Sequence, residues 1–154
     1  MKKLTALILA LTLVLGLAAC GKEAAPEAKT IDLAALYDNM VDTLPDMLVM
    51  DEETMLNFFG IEAADCKQVV TAVCGDGLRA DEVWLIEAVD EAALARLKEL
   101  ADTRIAAKAD ETINYVPDQY AVVEKAEVFT DGLYLVLLVS PDVDALKATV
   151  EAAI

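Results

Sequence analysis

The order of the sequence patterns predicts an α+β fold, a four-stranded antiparallel sheet with helices packed on it. Two apolar, β-branched runs, Gln68 to Cys74 and Glu82 to Val89, are separated by a Gly-Asp-Gly turn signal at 75–77. A long helical pattern follows, and then a second pair of apolar runs flanks an Asp-Gly pair. The resulting order, strand-strand-helix-strand-strand-helix, is typical of a two-layer sandwich with both main helices on one face.

Two short helices are predicted ahead of the first strand. From Ile31 to Leu44 apolar residues recur at the spacing of one helix face, until Pro45 interrupts the pattern. Asp51 is placed to cap a second helix, and Gly60 to end it as a C′ glycine. The apolar residues of this second helix are expected to be core because the helix period explains their spacing; they are Met55, Leu56, Phe58 and Phe59.

The long helix is expected to follow the cap residue Asp90 and to extend to about Thr112. Pro117 then opens a short helical turn. Tyr120 lies within this turn, and Tyr115 and Tyr120 flank the Val-Pro-Asp-Gln segment at 116–119, where we expect a packed corner rather than an aromatic clamp for a ligand.

The hairpin and the last helix complete the pattern. Runs 126–130 and 133–140 flank Asp131-Gly132, a pair that favours a type I′ turn. Ser140-Pro141-Asp142 then predicts a cap followed by proline at the first position of a final helix.

The run Leu133 to Val139 is apolar at nearly every position, so both faces of the sheet should be covered. We expect the two N-terminal helices to supply this cover, with Leu36, Phe58 and Phe59 buried against the run. This arrangement predicts a monomer, whereas a dimer formed through the sheet face is the alternative.

The first twenty residues have the anatomy of a secretory signal. Lys2 and Lys3 precede an uncharged apolar run, Leu4 to Leu17, which is too short for a transmembrane helix. The tetrad Leu-Ala-Ala-Cys at 17–20 resembles the bacterial lipobox, in which the cysteine thiol is lipidated and the signal is cut just before it. An incidental cysteine at an ordinary cleavage site and an uncleaved anchor helix are the alternatives.

The lipobox resemblance implies a division of the chain. Residues 1–19 would be the lipoprotein signal peptide, and residues 20–30 the lipidated Cys20 with a polar tether. Residues 31–154 would form a single α+β domain. Acyl chains such as palmitate on Cys20 would hold the protein on the extracytoplasmic face of the cell membrane.

Composition excludes several classes of function. Without Lys2 and Lys3 the chain keeps 10 basic against 28 acidic residues, a net charge of −18, which disfavours nucleic-acid binding. The sequence contains no histidine, so triads of the Ser-His-Asp and Cys-His types are excluded. We therefore expect no enzymatic activity, no catalytic residues, no cofactor and no metal.

Two small groups of residues are candidate chemical sites. Asp76, Asp81 and Glu82 could collect a Ca²⁺ ion, but the calcium-loop pattern is absent and an acidic turn is the preferred interpretation. Cys66 and Cys74 would lie roughly 26 Å apart along one strand, which favours free thiols. A disulfide would require an intervening turn.

Five segments in this order resemble a family of small bacterial lipoproteins that carry domain of unknown function 4358. The segments read DLAALYDNM, FFGIEAAD, ADEVWLIEA, YVPDQY and GLYLVLLVSPD. The resemblance implies a lipoprotein with no assigned activity, so Cys20 is the residue that inherits a role.

These observations favour a non-catalytic domain that binds an unidentified protein, peptide or envelope component. The alternative is a small-ligand-binding lipoprotein of a transport or sensing system. A hydrolase that relies on paired Asp and Glu residues is the third possibility.

Overall fold

The computed structural model describes residues 30–154. The predicted signal peptide, Cys20 and the tether through residue 29 lie outside the described residues. Residues 31–154 form one compact unit. None of the described helices has the length and apolar character needed to cross a bilayer.

Five strands and five α-helices make up the described chain. The strands are β1 (Met47–Val49), β2 (Cys66–Cys74), β3 (Glu82–Ala88), β4 (Glu127–Asp131) and β5 (Tyr134–Val139). The helices are α1 (Leu33–Asp38), α2 (Glu52–Phe59), α3 (Glu91–Tyr115), α4 (Pro117–Val123) and α5 (Val143–Glu151). Two short 3₁₀ turns lie at Val41–Thr43 and Ala63–Asp65.

The strands form one open antiparallel sheet in the order β1-β2-β3-β5-β4. The α+β class and the antiparallel pairing are confirmed, but the sheet has five strands and the prediction of four was wrong. The additional strand is β1, whose Met47 pairs with Cys74 and whose Val49 pairs with Ala72. Three residues are too few to show the alternation that identifies a strand in sequence.

Both faces of the sheet carry a hydrophobic core, because side chains alternate between the faces along each strand. The first core lies under α2, α3 and α4 and includes Trp84, Ile86, Leu135 and Leu137. The second core lies under α1 and α5 and includes Val83, Leu85, Val136 and Leu138.

The two main helices, α3 and α5, therefore lie on opposite faces, and the prediction of a two-layer sandwich was wrong. The molecule has three layers, with the sheet in the middle. Strands β3 and β5 are apolar at successive positions, so each face requires its own helical cover. Helix α5 covers the second face and buries three residues there, Val143, Leu146 and Val150.

The N-terminal helices are divided between the faces. Leu36 of α1 is buried in the second core, and Phe59 of α2 is buried in the first. Leu56 and Phe58 were predicted to be buried, but 50% of Leu56 and 76% of Phe58 are exposed. Both point away from the sheet because Met55 and Phe59, four residues apart, define the buried side of α2.

The helix signals of the sequence are confirmed where side chains close the helix ends. The Asp51 carboxylate accepts a hydrogen bond from the Thr54 amide at 2.8 Å, and Asp90 accepts one from the Ala93 amide at 2.8 Å. Gly60 ends α2 with φ +73°, a left-handed conformation that favours glycine.

The hairpin turn differs from its prediction. Asp131 pairs with Tyr134, so the two loop residues are Gly132 and Leu133. A type I′ turn requires positive φ at both, and only Gly132 has it, at +53°. The last helix also begins later than expected, because Asp142 and not Ser140 is its N-cap.

Candidate functional site

A cleft of about 570 Å³ opens between α2, the β2–β3 loop and the C-terminal half of α3. Its rim carries three large side chains that the fold leaves exposed: Phe58 at 76%, Leu78 at 69% and Tyr115 at 84%. Arg104 and Lys108 line the cleft more deeply. A volume of this size is in the range of small-molecule sites. We call it the Glu82 cleft, after the buried carboxylate that holds Arg104 and Lys108.

Glu82 is completely buried and accepts hydrogen bonds on both oxygens. Oε1 accepts from the indole Nε1 of Trp84 at 2.9 Å and from Nε of Arg104 at 2.9 Å. Oε2 accepts from Nη2 of Arg104 at 2.8 Å and lies 3.0 Å from Nζ of Lys108. Glu82 is thus the common partner of three side chains.

Local periodicity explains why these residues meet. Glu82 and Trp84 are two apart on β3 and therefore project from the same face of the sheet. Arg104 and Lys108 are four apart on α3 and therefore lie on the same side of that helix. Because α3 packs across β3, the basic pair of the helix faces the carboxylate of the strand.

Glu82, Arg104 and Lys108 form a cluster with an excess of positive charge, since the two cations share one carboxylate. Burial alone would lower the pKa of Arg104, but the hydrogen bonds and the charge of Glu82, together with the charge of Glu111, outweigh it, so the pKa is raised. The Arg104 guanidinium also lies 5.2 Å from the centre of the Phe59 ring. Arg104 is therefore held in a fixed position as a cation.

Residues 39–140 match the family model described as Domain of unknown function (DUF4358). The chain belongs to this family. The match extends from just before β1 to just after β5 and so includes the whole sheet and the Glu82 cleft. No curated protein and no solved structure matches the chain. The predicted resemblance is confirmed for this domain.

The acidic loop of the DUF4358 domain does not gather its carboxylates. Asp76 accepts a hydrogen bond from the Leu78 amide at 3.0 Å, which closes the turn. The Asp81 carboxylate accepts hydrogen bonds from Nε of Arg79 at 3.0 Å and from Nη2 of Arg79 at 3.2 Å. Within residues 30–154 no group of three potential ligands is placed to hold a metal ion. In the structure Asp76 closes the turn and Asp81 pairs with Arg79.

The two cysteines of the described domain, Cys66 and Cys74, are free thiols at opposite ends of β2, which confirms the prediction. Burial, with the nearby charge of Asp65, raises the pKa of Cys66 from 9.0 to about 11. Since the thiolate is the nucleophile, this shift disfavours Cys66 as a nucleophile near neutral pH. Cys74 lines the Glu82 cleft.

The prediction that Tyr115 and Tyr120 form a packed corner was wrong for Tyr115, which is 84% exposed. Helix α3 continues three residues beyond Thr112, so Tyr115 projects from its last turn and stands at the rim of the cleft. Tyr120 is partly buried on α4.

Sequence reasoning missed Arg104 and Lys108 as site residues. The available signal was a carboxylate, Glu82, at the start of a strongly apolar strand, because a charge in such a position requires a partner. A basic pair spaced four apart on the following helix supplies that partner. Their alignment across the sheet is a tertiary feature that no local pattern shows.

Proposed function

We propose that this chain is a membrane-anchored extracytoplasmic lipoprotein whose DUF4358 domain binds a ligand without catalysing a reaction. The Leu-Ala-Ala-Cys tetrad at 17–20 supports the anchor, with Cys20 as the lipidated residue. The observation that carries the binding role is the Glu82 cleft, a concave site with exposed apolar walls and cations inside.

The chemistry of the cleft supports binding rather than catalysis. A general base must be free to take a proton, whereas Glu82 is buried and engaged by Arg104, Lys108 and Trp84. The chain has no histidine to take its place. The cluster therefore acts as a fixed arrangement of charge.

The size of the cleft favours a small ligand over a macromolecular partner. This supports a role for the protein as the ligand-binding component of a transport or sensing system. Helices cover both faces of the sheet within residues 31–154, which supports a monomer. The net charge of −16 argues against nucleic acid.

Replacing Cys20 with alanine should abolish lipidation and cleavage of the signal peptide. Without the thiol no lipid can be attached, and the uncut precursor should accumulate without incorporating labelled palmitate in growing cells. Cys74→Ala is the matched control, because it removes a thiol of the folded domain and should leave labelling unchanged. A Cys20→Ala protein that is processed, labelled and retained at the membrane would refute the anchor.

A library of small molecules should contain compounds that stabilise the full chain in a thermal-shift screen. At a concentration one hundred times its Kd, a ligand stabilises by about 2.7 kcal/mol. Leu78→Asp places a charge in the apolar wall and should reduce the shift, whereas Ile113→Asp, at an exposed position outside the cleft, should not. Equal shifts in both variants would show that the ligands bind elsewhere.

A further inference from the structure

We propose that the Glu82 cleft binds a small molecule in which one anionic acid group is joined to an apolar, aromatic body. The acid group, a carboxylate or a phosphate, contacts Arg104 and Lys108, and the apolar body lies against the exposed rim. This inference rests on the proposed binding function and adds the chemical class of the ligand.

Arg104 and Lys108 have hydrogen-bond donors that could bind an acid group. Among the described residues, Arg104 gives Nε and Nη2 to Glu82, and its Nη1 group has no acceptor. Lys108 is only 7% exposed, and its ammonium reaches Glu82 while lining the cleft. An acid group placed between them would receive charge-assisted hydrogen bonds from both.

The charge balance points the same way. Among the buried groups, Glu82 neutralises one of its two cationic partners, and within residues 30–154 the remaining positive charge is met only by the exposed, water-screened carboxylate of Glu111, which also acts on Arg104. Burying an uncompensated charge is unfavourable, and a single anion would make the cluster neutral. A neutral or cationic ligand would leave that positive charge without a buried partner.

The other charged groups of the cleft define the position further. Arg79 also lines the cleft, but its side chain is held by both oxygens of Asp81. Glu111 is exposed at the rim and repels negative charge there. Because of Glu111, the acid group is favoured at the inner end and the uncharged body at the outer end.

The rim supplies the apolar contacts. Phe58, Leu78 and Tyr115 are among the most exposed large side chains of the domain, and a ligand lying between them would remove apolar surface from water. Two of the three are aromatic, and Phe59 lies below them, so a ring can pack in offset or edge-to-face geometry.

Three probes of the same shape test the acid group: 4-phenylbutyrate, its neutral amide 4-phenylbutanamide, and the cationic 4-phenylbutylamine. The full chain is placed in phosphatidylcholine vesicles, with empty vesicles as the blank. Trp84 is the single tryptophan and contacts both Glu82 and Phe59, so its fluorescence reports occupancy. Phenylbutyrate should bind roughly tenfold or more tightly than the other two. Phenyl phosphate distinguishes a phosphate preference from a carboxylate preference.

Matched variants assign the contact. Lys108→Gln should remove the preference for the acid, whereas Lys98→Gln, which changes an exposed lysine of the same helix, should preserve it. Glu111→Gln should strengthen binding of the acid, and because Glu111 is exposed, this variant remains informative if Lys108→Gln fails to fold.

Two outcomes would overturn the inference. If the acid, the amide and the amine bind equally well, the acid-group inference fails while the binding function stands. If none of the probes binds and the thermal-shift screen also finds no ligand, both fail.

Discussion

Replacing Glu82 with glutamine is expected to destabilise the domain by about 3–5 kcal/mol, because Arg104 and Lys108 would then lose the carboxylate that compensates them in a desolvated cluster. Glutamine retains the size of the side chain, so the change isolates the charge. Urea unfolding of the full chain measures the effect from the transition midpoint.

The control for Glu82→Gln is Asp102→Asn. This variant removes an exposed carboxylate paired with Lys98 and should cost at most about 1 kcal/mol. The combined variant Glu82→Leu, Arg104→Met, Lys108→Met replaces the whole cluster by apolar groups and should regain most of the lost stability. A free energy of unfolding for Glu82→Gln within about 1 kcal/mol of the parent would contradict the argument.

Replacing Phe59 with alanine is expected to cost about 3–5 kcal/mol. The Phe59 ring packs against Trp84 with the ring centres 4.9 Å apart, and the Arg104 guanidinium lies over it. Truncation would therefore open a cavity under the cation cluster.

The neighbouring residue provides the matched control. Phe58→Ala removes the same ring from the same helix, but Phe58 is exposed, so unfolding should change by no more than about 0.5 kcal/mol. Phe58→Ala should instead weaken ligand binding in the cleft. Equal destabilisation by the two variants would show that the described division between core and rim is wrong.

Short-range signals predicted the elements of this fold well. Asp51 and Asp90 cap their helices because an aspartate can accept from the amides of the first turn, and Gly60 ends α2 because it alone of the nearby residues readily adopts positive φ. The strands β2, β3 and β5 were visible as apolar, β-branched runs. The interactions that form the caps and the end of α2 lie within a few residues, and the strands are visible through their own composition even though their partners are distant in the chain.

The features that sequence patterns missed depend on residues far apart in the chain. An amphipathic pattern shows that α5 has a buried side, but it does not state which face of the sheet that side covers. The cleft also depends on tertiary packing, because Glu82 and Arg104 are 22 positions apart and meet only when α3 lies across β3. Phe58 and Phe59 illustrate the limit, since adjacent identical residues have opposite environments.

The placement of α3 and α5 on opposite faces has a consequence for how this domain can vary. Along β3, Trp84 and Ile86 contribute to the core beneath the cleft, whereas Val83 and Leu85 contribute to the core beneath α1 and α5. The sheet thus separates the core that lies beneath the Glu82 cleft from a second core that does not contact the cleft. Substitutions in the second core are expected to change the stability of the domain while the residues that line the cleft keep their packing, although both sets of core residues alternate along one short strand.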